Sequence, residues 1–208
     1  IPLKDNLLLL NKSIGMIITH ADDIVKAYKN IMEELYNQEM LHRKRNDGGK
    51  TAIILAFLPA SLNEFNVVSY SHSDDASKSC EDENKLSFVG LTELLQASCL
   101  ILIAGLKPIR IEELSQLQYD CLYYQEGDGY WLEQNLKKSG INDILPETAK
   151  PIPHITARAI KILRQLNDIA KKWGDRVSKK ESNYLLYRLN IGNTNTKGSV
   201  MDTEKIGH

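Results

Sequence analysis

The sequence predicts a mainly helical α+β fold, with a bundle of helices first and a small three-stranded antiparallel sheet later. Three observations predict it. Apolar side chains recur at helical spacing in residues 3–35 and again in residues 156–173. Between them, two short stretches rich in Tyr, Trp and Leu flank a glycine-containing turn at residues 126–129. A third extended stretch, residues 150–155, contains two prolines, which favour an edge strand.

The composition is that of an ordinary globular protein of one large or two small domains. The 208 residues are 42% hydrophobic and 25% charged, with a formal net charge of −1. This neutrality gives no support to nucleic-acid binding, because a DNA-binding domain usually carries a clear basic excess. The cysteines Cys80, Cys99 and Cys121 lie far apart without CxxC spacing, which argues against a disulfide framework and a structural zinc site.

We expect a cytoplasmic protein without a membrane partner. The cysteine usage favours a reducing compartment, and no stretch is expected to supply the roughly 18 apolar residues that span a bilayer. The longest candidate, residues 97–104, is more simply a buried helix. No signal peptide is readable. Because the chain begins with Ile1 and ends on His208 without an obvious finish, we also expect a fragment of a longer protein.

The first part of the chain predicts helices. Residues 3–18 form the first, whose apolar face consists of Leu7, Leu10, Ile14 and Ile17. Thr19 and Asp22 have the spacing of a capping box that opens the second helix. The inward face of the second helix consists of Ile24, Tyr28, Ile31 and Leu35. It ends in the basic residues 42–45, and Asp47 with two glycines breaks it.

A buried helix at residues 51–58 and a short helix around Leu62 and Phe65 complete this part. Residues 70–85 are polar, acidic and without periodicity, which predicts an exposed loop or linker. The sequence therefore predicts a helical domain at 1–69, a linker at 70–85 and a second domain at 86–208.

The second domain is predicted to begin with two helices. Thr92 caps the first, Gly105 ends it, and the second covers residues 111–117 after Pro108. The strands are predicted at residues 121–124, 130–136 and 150–155. Thr156 is predicted to cap a helix that ends at Gly174. Its inward residues are Ile160, Leu163, Leu166, Ala170 and Trp173. Residues 182–189 predict a final helix.

Residues 104–120 carry the functional prediction. They resemble the first conserved box of tyrosine recombinases (the phage-integrase family), in which a helix ends at Gly-Leu and an arginine opens the next one. The box has the form Arg-x-x-Glu-Leu-x-x-Leu, followed by an Asp that starts a strand. The matching residues are Arg110, Glu113, Leu114, Leu117 and Asp120. A guanidinium at a helix N-terminus is also, on physical grounds, a good phosphate ligand.

The register of the arginine has an alternative. The family usually places the arginine directly after Gly-Leu, where this chain has Lys107, and a lysine lacks the bidentate fork. The Glu-Leu-x-x-Leu spacing sets the phase of the helix and favours Arg110. The plain alternative is that Arg110 is a surface arginine at the start of a helix.

A lysine on the predicted β-hairpin is the second match. Family members carry a catalytic lysine there, followed by a strand that ends in an apolar-Pro pair and then a helix. Here Lys138 is the preferred match and Lys137 the alternative, and Ile152 with Pro153 leads into the next helix. The resemblance covers about residues 86–173, and the helices before Tyr70 are compatible with a DNA core-binding domain.

The resemblance implies DNA cleavage and rejoining. A tyrosine attacks the phosphodiester and leaves a 3′-phosphotyrosine and a 5′-hydroxyl. Arg110 would stabilise charge on the phosphoryl oxygens, and Lys138 would act as general acid toward the leaving 5′-oxygen. The implied partners are double-stranded DNA and further copies of the chain in a tetrameric synapse, without a metal ion or cofactor. The basic residues Arg43, Lys44 and Arg45 are weak candidates for DNA contact.

The family's remaining catalytic residues are not found in the sequence. The His-x-x-Arg pattern occurs only at His42, ahead of the arginine box, and His154 precedes Arg158 at the wrong spacing. His208 has no residue after it, and Tyr184 and Tyr187 come too early to be the nucleophile. We therefore expect the 208 residues alone to be inactive in recombination.

Two other functions fit the same residues. The chain is alternatively a catalytically inactive relative that binds DNA or regulates a recombinase. It is otherwise a helical interaction module with a chance resemblance, in which case Arg110 would lie far from Lys137 and Lys138.

Overall fold

The computed structural model describes residues 2–39, 47–70, 85–107, 109–135, 147–173 and 183–186. Within them the fold is α+β and mostly helical, with a three-stranded antiparallel sheet, as predicted. The helices are α1 (Leu3–Gly15), α2 (Ala21–Asn37), α3 (Asp47–Phe57), α4 (Phe88–Leu106), α5 (Ile111–Ser115) and α6 (His154–Trp173). The strands are β1 (Val67–Ser69), β2 (Leu86–Ser87), β3 (Leu122–Gln125), β4 (Gly129–Asn135) and β5 (Glu147–Ile152).

A π-helical turn, Met16–His20, joins α1 to α2. The predicted capping box at Thr19 is therefore wrong, because the chain stays helical through this residue. Arg158 of α6 donates from Nε to the carbonyl oxygen of Ile17, 3.3 Å away, so a tertiary contact satisfies a backbone acceptor of the turn. The predicted inward face of α2 is confirmed, since all four of its residues are buried, whereas Leu7 of α1 is exposed.

Asp47 was predicted to break the second helix. Helix α2 already ends at Asn37, and Asp47 is the first residue of α3. A short 3-10 helix, Ala60–Phe65, lies around Leu62 and Phe65 as predicted, and Leu62 is buried. The chain then enters β1, which pairs in parallel with β2, Val67 opposite Leu86. Of the predicted linker, residues 70–85, only the two ends are described: Tyr70 is buried, contrary to the predicted exposure, and Lys85 is exposed, while residues 71–84 lie outside the described residues.

Helix α4 is longer than predicted at both ends. Ser87 caps it by accepting from the N–H of Gly90 at 3.0 Å, so the predicted cap at Thr92 is wrong. The predicted stop at Gly105 is also wrong, since the helix continues through Leu106. A Cβ at Gly105 would lie 3.2 Å from a methyl group of Leu10, so this glycine permits the close approach of α1.

Helix α4 is also long and apolar enough to cross a membrane, by length and composition alone. The expectation that no stretch reaches this length is therefore wrong. The helix nevertheless packs against α1, α2 and α6, and its buried residues form part of the core. The prediction of a buried helix in this region is confirmed, and its burial is compatible with a soluble protein.

The second sheet has the order β3-β4-β5, antiparallel, with β5 at an edge as predicted. The turn between β3 and β4 places Gly127 and Gly129 at φ 86° and 91°, a conformation that favours glycine. Helix α6 begins at His154, so the predicted cap at Thr156 is wrong. Thr156 is fully buried inside the first turn, where Pro153 accepts from the N–H of Ala157.

Residues 183–186 do not form the predicted final helix. Tyr184 makes an antiparallel bridge with Gln118, and Leu185 donates its N–H to the carbonyl of Leu117 at 2.8 Å. The side chain of Asn167 on α6 also donates to the carbonyl of Leu185. These tertiary partners satisfy backbone groups that a helix would otherwise satisfy internally.

Segments on both sides of the predicted linker bury their apolar faces together. Helix α1 packs on α4, and α2 packs on α6. The buried apolar side chains of α2, α4 and α6 belong to one cluster, against which Leu10 and Ile14 of α1 pack. The division into two domains stays a prediction. In the described residues, helices from both sides of the predicted linker share one core.

We expect Leu95→Ala to lower the free energy of unfolding by about 2–5 kcal/mol, because Leu95 is fully buried at the centre of α4. The matched control is its neighbour Leu94, which is 43% exposed, and Leu94→Ala is expected to cost less than about 1 kcal/mol. Urea unfolding followed by circular dichroism measures both. A single transition is expected from the shared core; two separate transitions would support two domains instead.

Candidate phosphate-binding site

Arg110 lies at the start of α5 with an extended backbone and an exposed side chain. Its N–H donates to Oε2 of Glu113 at 3.2 Å, and its carbonyl accepts from the N–H of Leu114 at 2.8 Å. Leu114 and Leu117 are buried, so the helix has the phase expected from the Glu-Leu-x-x-Leu spacing. Within the described residues, no carboxylate lies within ion-pair distance of the Arg110 guanidinium.

Lys107, the alternative to Arg110, has a different environment. It is 5% exposed, and its Nζ lies 3.5 Å from the carbonyl oxygen of Leu132 on β4. Burial, with a smaller contribution from the nearby charge of Lys150, lowers the pKa of Lys107 to about 8. Of the two candidates, only Arg110 presents its charge to solvent, whereas Lys107 ties the α4–α5 corner to the sheet.

The hairpin lysines lie beyond the end of the described ribbon. Leu132 is opposite Lys150, and the pairing continues to Asn135 opposite Glu147. At about 3.3 Å per residue, this end lies about 10 Å along the ribbon from the contact with Lys107. Lys137 and Lys138 follow within residues 136–146, outside the described residues, so their assignment and their distance from Arg110 stay predictions.

The other residues singled out in the sequence serve the fold or lie outside the described residues. Arg158 pairs with Asp22 at 2.8 Å, which fastens α6 to the start of α2. The ring of His154 lies edge-on to Tyr130 at 5.2 Å. The candidates outside the described residues are His42, Arg43, Lys44, Arg45, Tyr187 and His208.

Tyr119 and Arg164 hold the α5–β3 connection against α6. Arg164 donates from Nε to the carbonyl oxygen of Tyr119 at 2.6 Å and from Nη2 to that of Leu122 at 3.3 Å. The hydroxyl of Tyr119 donates to both carboxylate oxygens of Asp168, at 2.8 and 2.9 Å. Burial and this hydrogen bond raise the pKa of Tyr119, which keeps its hydroxyl protonated. Through these contacts, Tyr119 fixes the α5–β3 connection to α6.

Sequence reasoning missed the basic character of α6. The helix carries the cations Arg158, Lys161, Arg164, Lys171 and Lys172. With Asp168 as the only acid, its formal charge is 5 − 1 = +4, and the other residues of the chain together carry −1 − 4 = −5. The net charge of the chain hides this asymmetry; summing charge over each predicted element would have found it.

The described parts of the chain contain no group of three His, Cys, Asp or Glu side chains that could hold a metal ion. No family model matches the chain, and no curated protein or solved structure is significantly similar to it. The chemistry of the site therefore has to be inferred from its residues. The exposed guanidinium of Arg110 can bind phosphate oxygens and stabilise negative charge on them. The nearby contact between Lys107 and β4 connects this part of the chain to the sheet.

We expect Lys107→Met to raise the free energy of unfolding at pH 7 by about 1–2 kcal/mol, since methionine fills the space of the lysine stem without a buried charge. The pKa of Lys107 is lower in the folded state than in the unfolded state, so the unfolded state binds more protons between about pH 8 and 10. The free-energy cost of the buried ammonium is therefore fully present below pH 8 and decreases as the pH rises above it. Urea titrations of both proteins at pH 7 and 9.5 measure it.

The advantage of Lys107→Met should shrink at pH 9.5. The opposite result is a lower free energy of unfolding in the variant, by the same amount at both pH values. It would show that the ammonium of Lys107 stabilises the protein as a hydrogen-bond donor to Leu132.

Proposed function

We propose that the chain is part of a tyrosine site-specific recombinase and contains the arginine box of its catalytic domain. The single observation that supports this most is the placement of Arg110. It is exposed at the start of α5, between the core helix α4 and a three-stranded antiparallel sheet that leads into α6. This is the order of elements that the resemblance implies around the first catalytic arginine.

In the proposed reaction, Arg110 donates to the non-bridging oxygens of the scissile phosphodiester and stabilises the charge that develops there. A tyrosine hydroxyl gives its proton to a base that is not assigned to a position of this chain, its oxygen attacks phosphorus, and the bond to the 5′-oxygen breaks. Lys138, or Lys137, gives its proton to that leaving oxygen. Rejoining reverses these steps, with the 5′-hydroxyl as attacking group. Neither the nucleophilic tyrosine nor the His-x-x-Arg box is assigned to a position of this chain.

The packing around Arg110 suits a role that depends on position. Glu113 binds the backbone of Arg110, and the buried Leu114 anchors the short helix behind it. Lys107, three residues before Arg110, contacts the carbonyl oxygen of Leu132 on β4. The same contact therefore connects the start of α5 to the strand that leads to the hairpin lysines. Helix α5 has only five residues, so the guanidinium rather than a helix dipole supplies the positive charge.

The proposed partners are double-stranded DNA and further copies of the recombinase in a tetramer on that DNA, in the cytoplasm. A second candidate function is a catalytically inactive relative that binds DNA. The positive charge of α6 favours this candidate, because it fits DNA binding whether or not any chemistry follows.

Covalent complex formation on a nicked suicide substrate tests the proposed enzyme, with the protein expressed from its complete gene. Arg110→Ala is expected to slow formation of the protein–DNA adduct by about 10²–10³-fold, because one donor to the phosphoryl oxygens is lost. Arg110→Lys should restore only part of the rate, since it keeps the charge but not the bidentate fork. Lys29→Ala, at an exposed position of α2, is the control and should react normally.

Two results would count against the proposal in different ways. An adduct that forms at the normal rate with Arg110→Ala would remove Arg110 from the active site. Tight DNA binding by the unsubstituted protein without any adduct would favour the inactive relative.

A further inference from the structure

Two buried side chains beside β4 have hydrogen-bond donors that lack a full set of acceptors. Among the described residues, the ammonium of Lys107 has one acceptor for its three N–H groups, the carbonyl oxygen of Leu132 at 3.5 Å. Gln134 is 3% exposed, and its side-chain nitrogen is buried without an acceptor in that part of the chain. Because buried donors are almost always paired with the chain, a water or an ion, these two groups indicate a bound acceptor.

The pairing of the strands brings a second cation to the same place. Leu132 and Gln134 are two residues apart on β4, so their side chains lie on the same face of the sheet. Lys150 lies directly opposite Leu132 on β5, which places its side chain on that face as well. Leu132 is fully buried, so this is the face that packs on the core and that the buried Lys107 contacts. Two ammonium groups and one amide therefore share one part of the sheet.

The charges of this cluster favour an anion over a water molecule. In the described part of the chain, no carboxylate lies within ion-pair distance of Lys107 or Lys150. Burial lowers the pKa of Lys107, the charge of Lys150 lowers it further, and the opposite effect of Glu113 is smaller. A water molecule would accept the hydrogen bonds but leave the positive charge uncompensated. An anion would accept them and neutralise the charge.

The spacing of the donors fits an anion with several oxygen atoms. Side chains two residues apart on one strand leave the backbone about 7 Å apart, and a charge-assisted hydrogen bond is about 2.8 Å long. A tetrahedral oxyanion therefore offers one oxygen to Lys107 and another to Gln134. Strand β5 is at an edge of the sheet and Lys150 is exposed, so an anion can approach the cluster from this edge.

We propose that Lys107, Gln134 and Lys150 bind a small tetrahedral oxyanion with the chemistry of phosphate or sulfate. The two lysines supply positive charge, and the amide of Gln134 supplies a directed hydrogen bond. The site does not include Arg110, and it does not depend on the proposed recombinase. Its ligand is either a free anion or a phosphodiester group of a nucleic acid, since both present phosphoryl oxygens.

Thermal unfolding of the 208-residue chain in inorganic phosphate tests the proposal. The melting temperature is followed by circular dichroism at pH 7 from zero to about 20 mM phosphate, with sodium chloride holding the ionic strength constant. A ligand that binds only the folded state raises this temperature. At ten times its Kd, the folding equilibrium shifts about elevenfold, which corresponds to a rise of about 3–6 °C.

Substitutions at the three positions separate this site from a general effect of the salt. Lys107→Met should remove the phosphate-dependent rise, because it removes the buried charge. Gln134→Met should weaken phosphate binding at least about tenfold, through loss of a hydrogen bond to a charged group. Lys150→Gln should weaken it about two- to fivefold, because its charge is exposed. The matched control, Lys29→Gln, removes an exposed charge of α2 and should keep the full rise.

The pH dependence of binding is a readout that loss of packing would not change. The charged or titratable groups that act on Lys107 are Lys150 of β5, Cys121 before β3 and Glu113 of α5. The pKa of Lys107 is about 8, so its ammonium is largely deprotonated at pH 9.5. Sulfate keeps its charge over this range, and it should therefore bind about tenfold more weakly at pH 9.5 than at pH 7.

Dimethyl phosphate distinguishes the two sources of the ligand, because it has the two free oxygens and the single charge of a nucleic-acid backbone. A rise equal to that in phosphate would assign the site to a phosphodiester. A rise with phosphate and sulfate but not with dimethyl phosphate would assign it to a free anion.

Two results would overturn the proposal. One is a melting temperature that shows no saturable rise up to about 20 mM phosphate or sulfate. The other is a rise of equal size in the unsubstituted protein, Lys107→Met and Gln134→Met. Because these measurements need no DNA cleavage, failure of the recombinase proposal would appear only in the adduct assay.

Discussion

Burial of α4 is the constraint on which the rest of the structure depends. This helix is apolar around most of its circumference, so it is stable in water only if other elements cover it. Helices α1, α2 and α6 provide that cover, and Gly105 lets α1 come close at its C-terminal end.

The residues that follow α4 connect the core to the candidate site. Lys107 is held inside the protein near β4, and three residues later Arg110 emerges at the surface. Keeping an ammonium in this environment costs free energy, which its lowered pKa reflects. In the proposed enzyme, that contact maintains the position of the arginine relative to the β-ribbon. A site that stabilises transition-state charge depends on such fixed geometry.

Helix α6 serves the core and the surface at once. Its inward residues pack on α2 and α4, and its flank holds the α5–β3 connection through Arg164 and Asp168. Lys161 and Lys172 lie on its exposed side, where Lys161 donates to the hydroxyl of Tyr130. Through these contacts α6 connects the core to the α5–β3 connection, which follows the helix that Arg110 begins.

The sequence by itself determined the fold class, the antiparallel sheet, the edge strand and the inward faces of α2 and α6, because each follows from local periodicity and turn chemistry. It also placed Arg110 at the start of α5, through the phase set by the buried Leu114 and Leu117; the role of Arg110 stays a proposal. It misplaced the caps at Thr19, Thr92 and Thr156, since a threonine's preference for a cap is weak beside burial and helix continuity. Only the tertiary structure decided that residues 183–186 pair with the α5–β3 connection, that Lys107 is buried, and that Arg158 and Arg164 of α6 bind Asp22 and backbone carbonyls. These depend on contacts between residues far apart in the chain, which local patterns do not contain.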